Sequence, residues 1–175
     1  MKRTVTGVLL VAGWMIAGTC VPAQAIDLYG FASYWDKGDV KGKGGLGIGV
    51  GTPLISEHLR LDGRVYFIGA SSLSPGNELT MIPFDFGIQL HLMPNAELDP
   101  YGLAGISYIY ADADRSDVDS SFGTYLGGGL EWSPVSFLRL FGECIYRFQE
   151  LNGRYQGNTV DVSGLTANLG VKFIF

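Results

Sequence analysis

The last nine residues alternate. Positions 169, 171, 173 and 175 are Leu, Val, Phe and Phe, positions 168, 170 and 172 are Asn, Gly and Lys, and only Ile174 breaks the row. A period of two marks a β-strand with one apolar face. A soluble sheet rarely runs such a face out to a free carboxylate. A strand that closes a barrel in a bilayer does so naturally, because its outer side meets hydrocarbon. Leu169, Val171, Phe173 and Phe175 therefore read as the lipid-facing row of a closing strand.

The other end of the chain is consistent with export. Lys2 and Arg3 precede an apolar run from Val8 to Ile16, and Ala23-Gln24-Ala25 has the small-x-small pattern of a cleavage site. The expectation is a signal peptide over residues 1–25 and a barrel domain over 26–175. A lipidated Cys20 is a minor alternative, since Thr19 is a poor residue to precede it. Without Lys2 and Arg3, ten cationic side chains face seventeen acidic ones, a net charge of −7. That balance argues against nucleic acid as a partner. Cys144 would then be the single cysteine, read as a packing or lipid-facing residue. After residue 25 no apolar run is long enough for a membrane helix.

Between these ends, alternating segments are separated by turn residues. They cover roughly 27–36, 44–52, 58–69, 79–92, 100–111, 122–132, 137–149 and 162–175. Eight strands of this length suit a membrane barrel, in which a tilted strand needs roughly 9–11 residues. Three short connections contain Pro53, Pro94 and Pro134, and four longer ones lie near 37–43, 70–78, 112–121 and 150–161. Long and short connections alternate strictly, as an up-and-down transmembrane barrel requires. The fold class expected is all-β: an eight-stranded antiparallel up-and-down transmembrane β-barrel.

Each strand then divides into two rows. Outward rows include Leu46, Ile48 and Val50; Leu59, Leu61, Val65 and Phe67; Phe84, Phe86, Ile88, Leu90 and Leu92; and Leu138, Leu140, Tyr146 and Phe148. Tyr29, Trp35, Phe122, Trp132, Phe137 and Phe173 stand near strand ends, where aromatic girdles form. Inward rows carry charge of both signs: Arg60, Asp62 and Arg64; Asp85, Gln89 and His91; Glu131; Arg139, Glu143 and Arg147; Asn168 and Lys172. Isolated charges in so narrow a lumen would be costly, so an ion-pair network is expected to fill it. Hairpin geometry sets Arg64 beside Asp85 and Glu131 beside Arg139. The glycines at 45, 47, 49 and 51 would leave room for the neighbouring arginine row. Pro83 predicts a bulge or a late start to regular pairing in the fourth strand. The fifth strand mixes glycine and large residues on both rows, so its inward face stays open. An eight-stranded interior is just wide enough for side chains, which disfavours a wide pore.

Pro100-Tyr101-Gly102 through Tyr108-Ile109-Tyr110, residues 163–170 and the Phe terminus together resemble the OmpA/OmpX-like family of small bacterial outer-membrane barrels. The likeness covers residues 26–175, and its motifs specify fold rather than activity. It implies residence in a Gram-negative outer membrane with both termini in the periplasm. It implies recognition of the C-terminal row by the barrel-assembly machinery. Outer-membrane lipids and lipopolysaccharide are the implied surroundings of a monomer, with no cofactor. The peptidoglycan-binding role of OmpA itself is not expected, for want of the domain that carries it.

Some eight-stranded barrels modify lipid A. The deacylase type needs a His–Ser pair with a supporting acid, and the palmitoyltransferase type needs a His near the outer rim. His58 and His91 both fall beside short connections, at the opposite rim, so no enzymatic role is expected. The loop Asp112-Ala113-Asp114-Arg115-Ser116-Asp117-Val118-Asp119 has the 1, 3, 5 oxygen spacing that begins a calcium loop. Asp117 replaces the glycine of the sharp turn, however, and Gly123 stands where the bidentate Glu belongs. A solvated acidic loop is the better reading, and no metal is assigned. Arg147, Arg154, Tyr155 and Gln156 near the fourth long connection offer a surface for an unknown anionic ligand, although Arg147 could equally plug the interior. Two roles remain open: a structural or surface-interaction barrel, favoured if the charged rows pair and fill the lumen, and a narrow channel for small solutes or ions, favoured if they do not.

Overall fold

Alternation between turn residues becomes strand throughout. A computed structural model of the chain describes residues 26–37, 43–74, 77–113, 121–152 and 159–175. Its elements are β1 (Asp27–Lys37), β2 (Lys43–Ser56), β3 (Leu59–Ser74), β4 (Asn77–His91), β5 (Leu98–Ala113), β6 (Ser121–Val135), β7 (Leu138–Phe148), β8 (Glu150–Asn152), β9 (Thr159–Asp161) and β10 (Gly164–Ile174). Eight of them close in the order β1-β10-β7-β6-β5-β4-β3-β2, and β8 and β9 form a separate two-stranded ribbon. The fold is a closed, antiparallel, eight-stranded barrel, as the sequence predicts.

Closure is made by the two ends of the chain. β1 lies antiparallel to β10, with Tyr29 opposite Lys172 and Leu28 opposite Phe173. Ile26 N–H donates to Phe175 O at 3.2 Å, and Phe175 N–H returns a bond to Ile26 O at 3.0 Å. Closing the sheet satisfies the backbone groups that an edge strand would leave unpaired. The connections at 57–58, 92–97 and 136–137 share this rim, here called the terminus end; the opposite rim is the loop end.

The two faces differ as the alternation requires. Leu46, Ile48, Phe67, Phe86, Ile88, Leu90, Leu126, Leu169 and Phe173 are exposed on the outside, while Arg60, Asp62, Arg64, Asp85, Glu131, Glu143 and Arg147 are buried inside. Such an apolar exterior is stable only against hydrocarbon or a partner. Cys144 is exposed on this outer face.

Four local expectations are corrected. Residues 70–74 and 77–78 are strand rather than loop, because β3 and β4 pair to Ser74 and Asn77. Pairing beyond the apolar zone needs only backbone hydrogen bonds, so hydropathy does not mark where it stops. Pro83 makes no bulge, since β4 stays in unbroken register with β5 and its ladder with β3 passes from Val65–Phe84 to Ile68–Met81 without a shift; on the β3 side the continuous ladder does begin at Phe84, the expected alternative. The missing N–H thins one ladder locally. Tyr29 and Trp35 belong to no outer girdle and are buried inside, whereas Phe122, Trp132, Phe137 and Phe173 are exposed on the outer side. The space over the glycine row of β2 holds rings of β1 rather than arginines. A Cβ at Gly47 would strike the Phe31 ring, and one at Gly49 the Tyr29 ring. The fifth strand resolves as well, with Tyr101, Leu103, Ser107 and Ile109 of β5 buried in the interior.

Candidate functional site

The interior is built in three levels, because inward residues of adjacent strands fall into register. At the terminus end, Asp27, Arg60, His91, Asp99, Glu131, Arg139 and Lys172 come together. Arg60 Nη1 lies 2.7 Å from Asp27 Oδ2, and its Nη2 reaches the exposed rim residue Glu57 at 3.3 Å. Glu131 accepts from Lys172 Nζ on one oxygen and from Arg139 Nη1 on the other, the latter at 3.0 Å. Lys172 Nζ also lies 3.9 Å from Asp27. The Glu131–Arg139 contact is diagonal, since Glu131 stands opposite Phe141 and the β6–β7 register shifts between Trp132 and Val135.

The middle level centres on Arg64. Its guanidinium donates Nε–H to Asp62 and Nη1–H to Glu143. Arg64 stands opposite Asp85 in the ladder, as the hairpin predicts, yet its charge is spent elsewhere. A strand neighbour at the same height is not the nearest acceptor when a side chain can reach across a narrow lumen. Asp62 also accepts from the Tyr29 hydroxyl and from Gln89 Nε2, the latter at 2.9 Å. Glu143 accepts from Tyr101 Oη at 2.7 Å and Asn168 Nδ2 at 2.8 Å. Both carboxylates are thus multiply hydrogen-bonded, the condition under which a buried charge is tolerated.

The third level holds Arg147. Its two Nη groups grip both oxygens of Asp85 at 2.8 and 2.7 Å, and further bonds reach Ser107 Oγ and Thr166 Oγ1, both at 3.1 Å. Trp35, Tyr66 and Tyr125 surround the guanidinium, with ring centroids 5.2, 4.7 and 5.8 Å from Cζ. A fork-to-fork pair with aromatic faces around it suits Arg far better than Lys. Nearer the loop end, Ile68, Met81, Ile109 and Val162 are buried and Gln149 donates to Ser121. Arg147 therefore lies inside the barrel and not on a loop surface.

All ten residues expected in the interior, Arg60, Asp62, Arg64, Asp85, Gln89, Glu131, Arg139, Glu143, Arg147 and Lys172, point inward. Sequence reasoning missed Asp27, Asp99 and the aromatic members Tyr29, Trp35 and Tyr101. Asp27, Tyr29 and Trp35 share the odd row of β1, whose even row is Leu28, Gly30, Ala32 and Tyr34. For Asp27 and Tyr29, residues of one strand facing Gly51 and Gly49 on the next were the readable signal. Asp99 and Tyr101 went unassigned because the parity of β5 is ambiguous. The loop motif 112–119 lies largely outside the described residues, as do residues 1–25 and Arg154, Tyr155 and Gln156. His58 sits in an exposed terminus-end turn, and His91 is buried at the same end, 2.7 Å from Asp99 and 3.1 Å from Gln89.

Comparison with known proteins agrees with this geometry. The family model described as outer membrane protein beta-barrel domain matches residues 23–173. No curated protein matches the sequence. Among solved structures, the outer membrane protein OprG of Pseudomonas aeruginosa is similar, with a TM-score of 0.69 at 15% identity over 87% of this chain and 96% of that one. Neisserial surface protein A gives 0.65 at 12% identity over 87% and 97%. Ail, the attachment invasion locus protein of Yersinia pestis, gives 0.52 at 15% identity over 87% and 98%. At such identities the likeness is one of fold.

Proposed function

The chain belongs to the outer membrane protein beta-barrel domain family, and from that premise we propose that it is a plugged, non-catalytic barrel that serves the bacterial outer membrane structurally or by presenting its loops. The single observation that carries this reading is the filling of the lumen by three successive levels of paired charge. A conduit needs hydrated, unpaired groups along its length; here Asp27, Asp62, Asp85, Glu131 and Glu143 each lie within ion-pair distance of Arg60, Arg64, Arg147 or Lys172.

In this reading residues 1–25 are removed on export, and the barrel stands as a monomer among outer-membrane lipids and lipopolysaccharide. The termini and short turns face the periplasm. Leu169, Val171, Phe173 and Phe175 are the row offered to the barrel-assembly machinery, and the long loops are the surface available to an outside ligand. The test is conductance of the refolded protein in a planar bilayer. The wild type is expected to be silent, and discrete openings would overturn the proposal.

A narrow channel is the second reading, and one feature favours it. Arg139 keeps 14% of its side chain exposed at the rim and shares Glu131 with Lys172, so this level has a second pairing open to it. Wild-type openings that change on Glu131→Ala would support the channel.

A further inference from the structure

Among the described residues, six acidic side chains are buried inside the barrel: Asp27, Asp62, Asp85, Asp99, Glu131 and Glu143. Among the described residues, the arginines and lysines that meet them there are Arg60, Arg64, Arg139, Arg147 and Lys172. Counted over the described residues, the interior is one cation short. By contact the shortfall is felt at Asp99: Arg139 and Lys172 both reach Glu131 and Arg60 reaches Asp27, so Asp99, 2% exposed, has His91 as its one ion-pair partner among the described residues. The other oxygen of Asp99 accepts the Met93 backbone N–H at 2.9 Å.

The hydrogen bonds around His91 say how the shortfall is met. Its Nδ1 lies 2.7 Å from Asp99 Oδ2, and its Nε2 lies 3.1 Å from Gln89 Oε1. The Gln89 amide is oriented by its other end, which donates Nε2–H to Asp62 Oδ1 at 2.9 Å. Turning the amide over would set a carbonyl oxygen against that carboxylate. Both imidazole nitrogens thus face acceptors, whereas a neutral imidazole carries only one donor. We propose that His91 is held as an imidazolium, the sixth cation of the interior, and that the His91–Asp99 pair is a proton-binding site which couples the terminus-end plug to pH.

Burial and Lys172 oppose charge on the ring, while Glu131 and the hydrogen bond to Asp99 favour it. The Tyr101 ring stacks on the imidazole at 5.0 Å and 18°, a face suited to a cation. Glu131 of β6 supplies negative charge nearby, and Lys172 of β10 and Arg139 of β7 offset it. A metal ion could be imagined among His91, Asp99 and Glu131, which lie close together. However, Lys172 and Arg139 already occupy the two oxygens of Glu131, and the direct Nδ1–Oδ2 bond leaves no room for an ion between His91 and Asp99. The stabilisation from this proton is present while His91 is charged and is lost as pH rises through its titration in the folded barrel.

The test is 15N NMR of the refolded chain carrying His58→Asn, which removes the exposed turn histidine and leaves His91 alone. At pH 7 the expected spectrum shows both ring nitrogens protonated, and Asp99→Asn is expected to remove one of the two N–H signals. A neutral single tautomer at pH 7 would overturn the proposal, as would a spectrum indifferent to Asp99→Asn. Displacement of both ring signals by stoichiometric Zn2+ would replace the proton with a metal site and overturn it too. Urea unfolding gives an independent readout. The midpoint is expected to fall between pH 6 and pH 9, and the fall is expected to vanish in His91→Gln. An equal fall in that variant would count against the assignment.

Discussion

The Arg147 level and the Glu131 level have the same chemistry in different surroundings. Arg147 meets one carboxylate through two parallel bonds, inside a jacket of Trp35, Tyr66 and Tyr125. Glu131 meets two cations, one on each carboxylate oxygen, close to the rim, and one of those cations is partly wet. The first arrangement has one good geometry and no access to water. The second has spare partners within reach. The comparison teaches that a charged interior need not be uniformly rigid: where aromatic walls exclude water, losing a partner strands a charge, and where a rim is near, the survivor can re-pair or hydrate.

Four single substitutions and one double test that contrast, the singles in falling order of effect. Asp85→Asn should destabilise the barrel by about 3–5 kcal/mol in urea unfolding, because it leaves the Arg147 guanidinium buried without a counter-charge. Combining Asp85→Leu with Arg147→Met should recover most of that loss, since a buried pair exchanged for apolar groups of like size is often near neutral. Glu131→Gln should cost about 1–3 kcal/mol, as Arg139 can reach the rim while Lys172 keeps a weaker acceptor. If Glu131→Gln proved the more damaging of the two, the contrast between the levels would fail. Tyr66→Leu, which removes the ring nearest the guanidinium, should cost about 1–2 kcal/mol and raise hydrogen exchange at the Arg147 level more than at the terminus end. Arg139→Gln should be the mildest, below about 1 kcal/mol in the same urea assay, because Glu131 retains Lys172. A loss as large as that of Asp85→Asn would show the rim level to be as unforgiving as the sealed one.

Much of this interior was readable before any coordinates. Period-two parity is a local property, so once Leu61 and Val65 are set outward, Arg60, Asp62 and Arg64 must point in. Parity gave no answer in β5, where glycine and large residues alternate on both rows, and Asp99 was missed with it. It also misled at Tyr29 and Trp35, because aromatic residues near strand ends suit either a membrane girdle or a packed lumen. At Tyr29 the glycine row across the β1–β2 ladder decides, by offering the ring a place to lie, and at Trp35 the Arg147 guanidinium over its ring does.

By itself the chain determined a closed sheet of eight strands with a greasy exterior and a charged lumen, for backbone sterics and the hydrophobic pattern act over a few residues at a time. The choice of partners belonged to the tertiary structure. Arg64 stands beside Asp85 in the ladder yet bonds to Asp62 and Glu143, while Asp85 is gripped by Arg147 from across the barrel. Strand register places side chains at a height, but in a narrow lumen several acceptors share each height. Which of them a long, charged side chain reaches depends on the closed curvature of the sheet and on the aromatic rings already filling its centre.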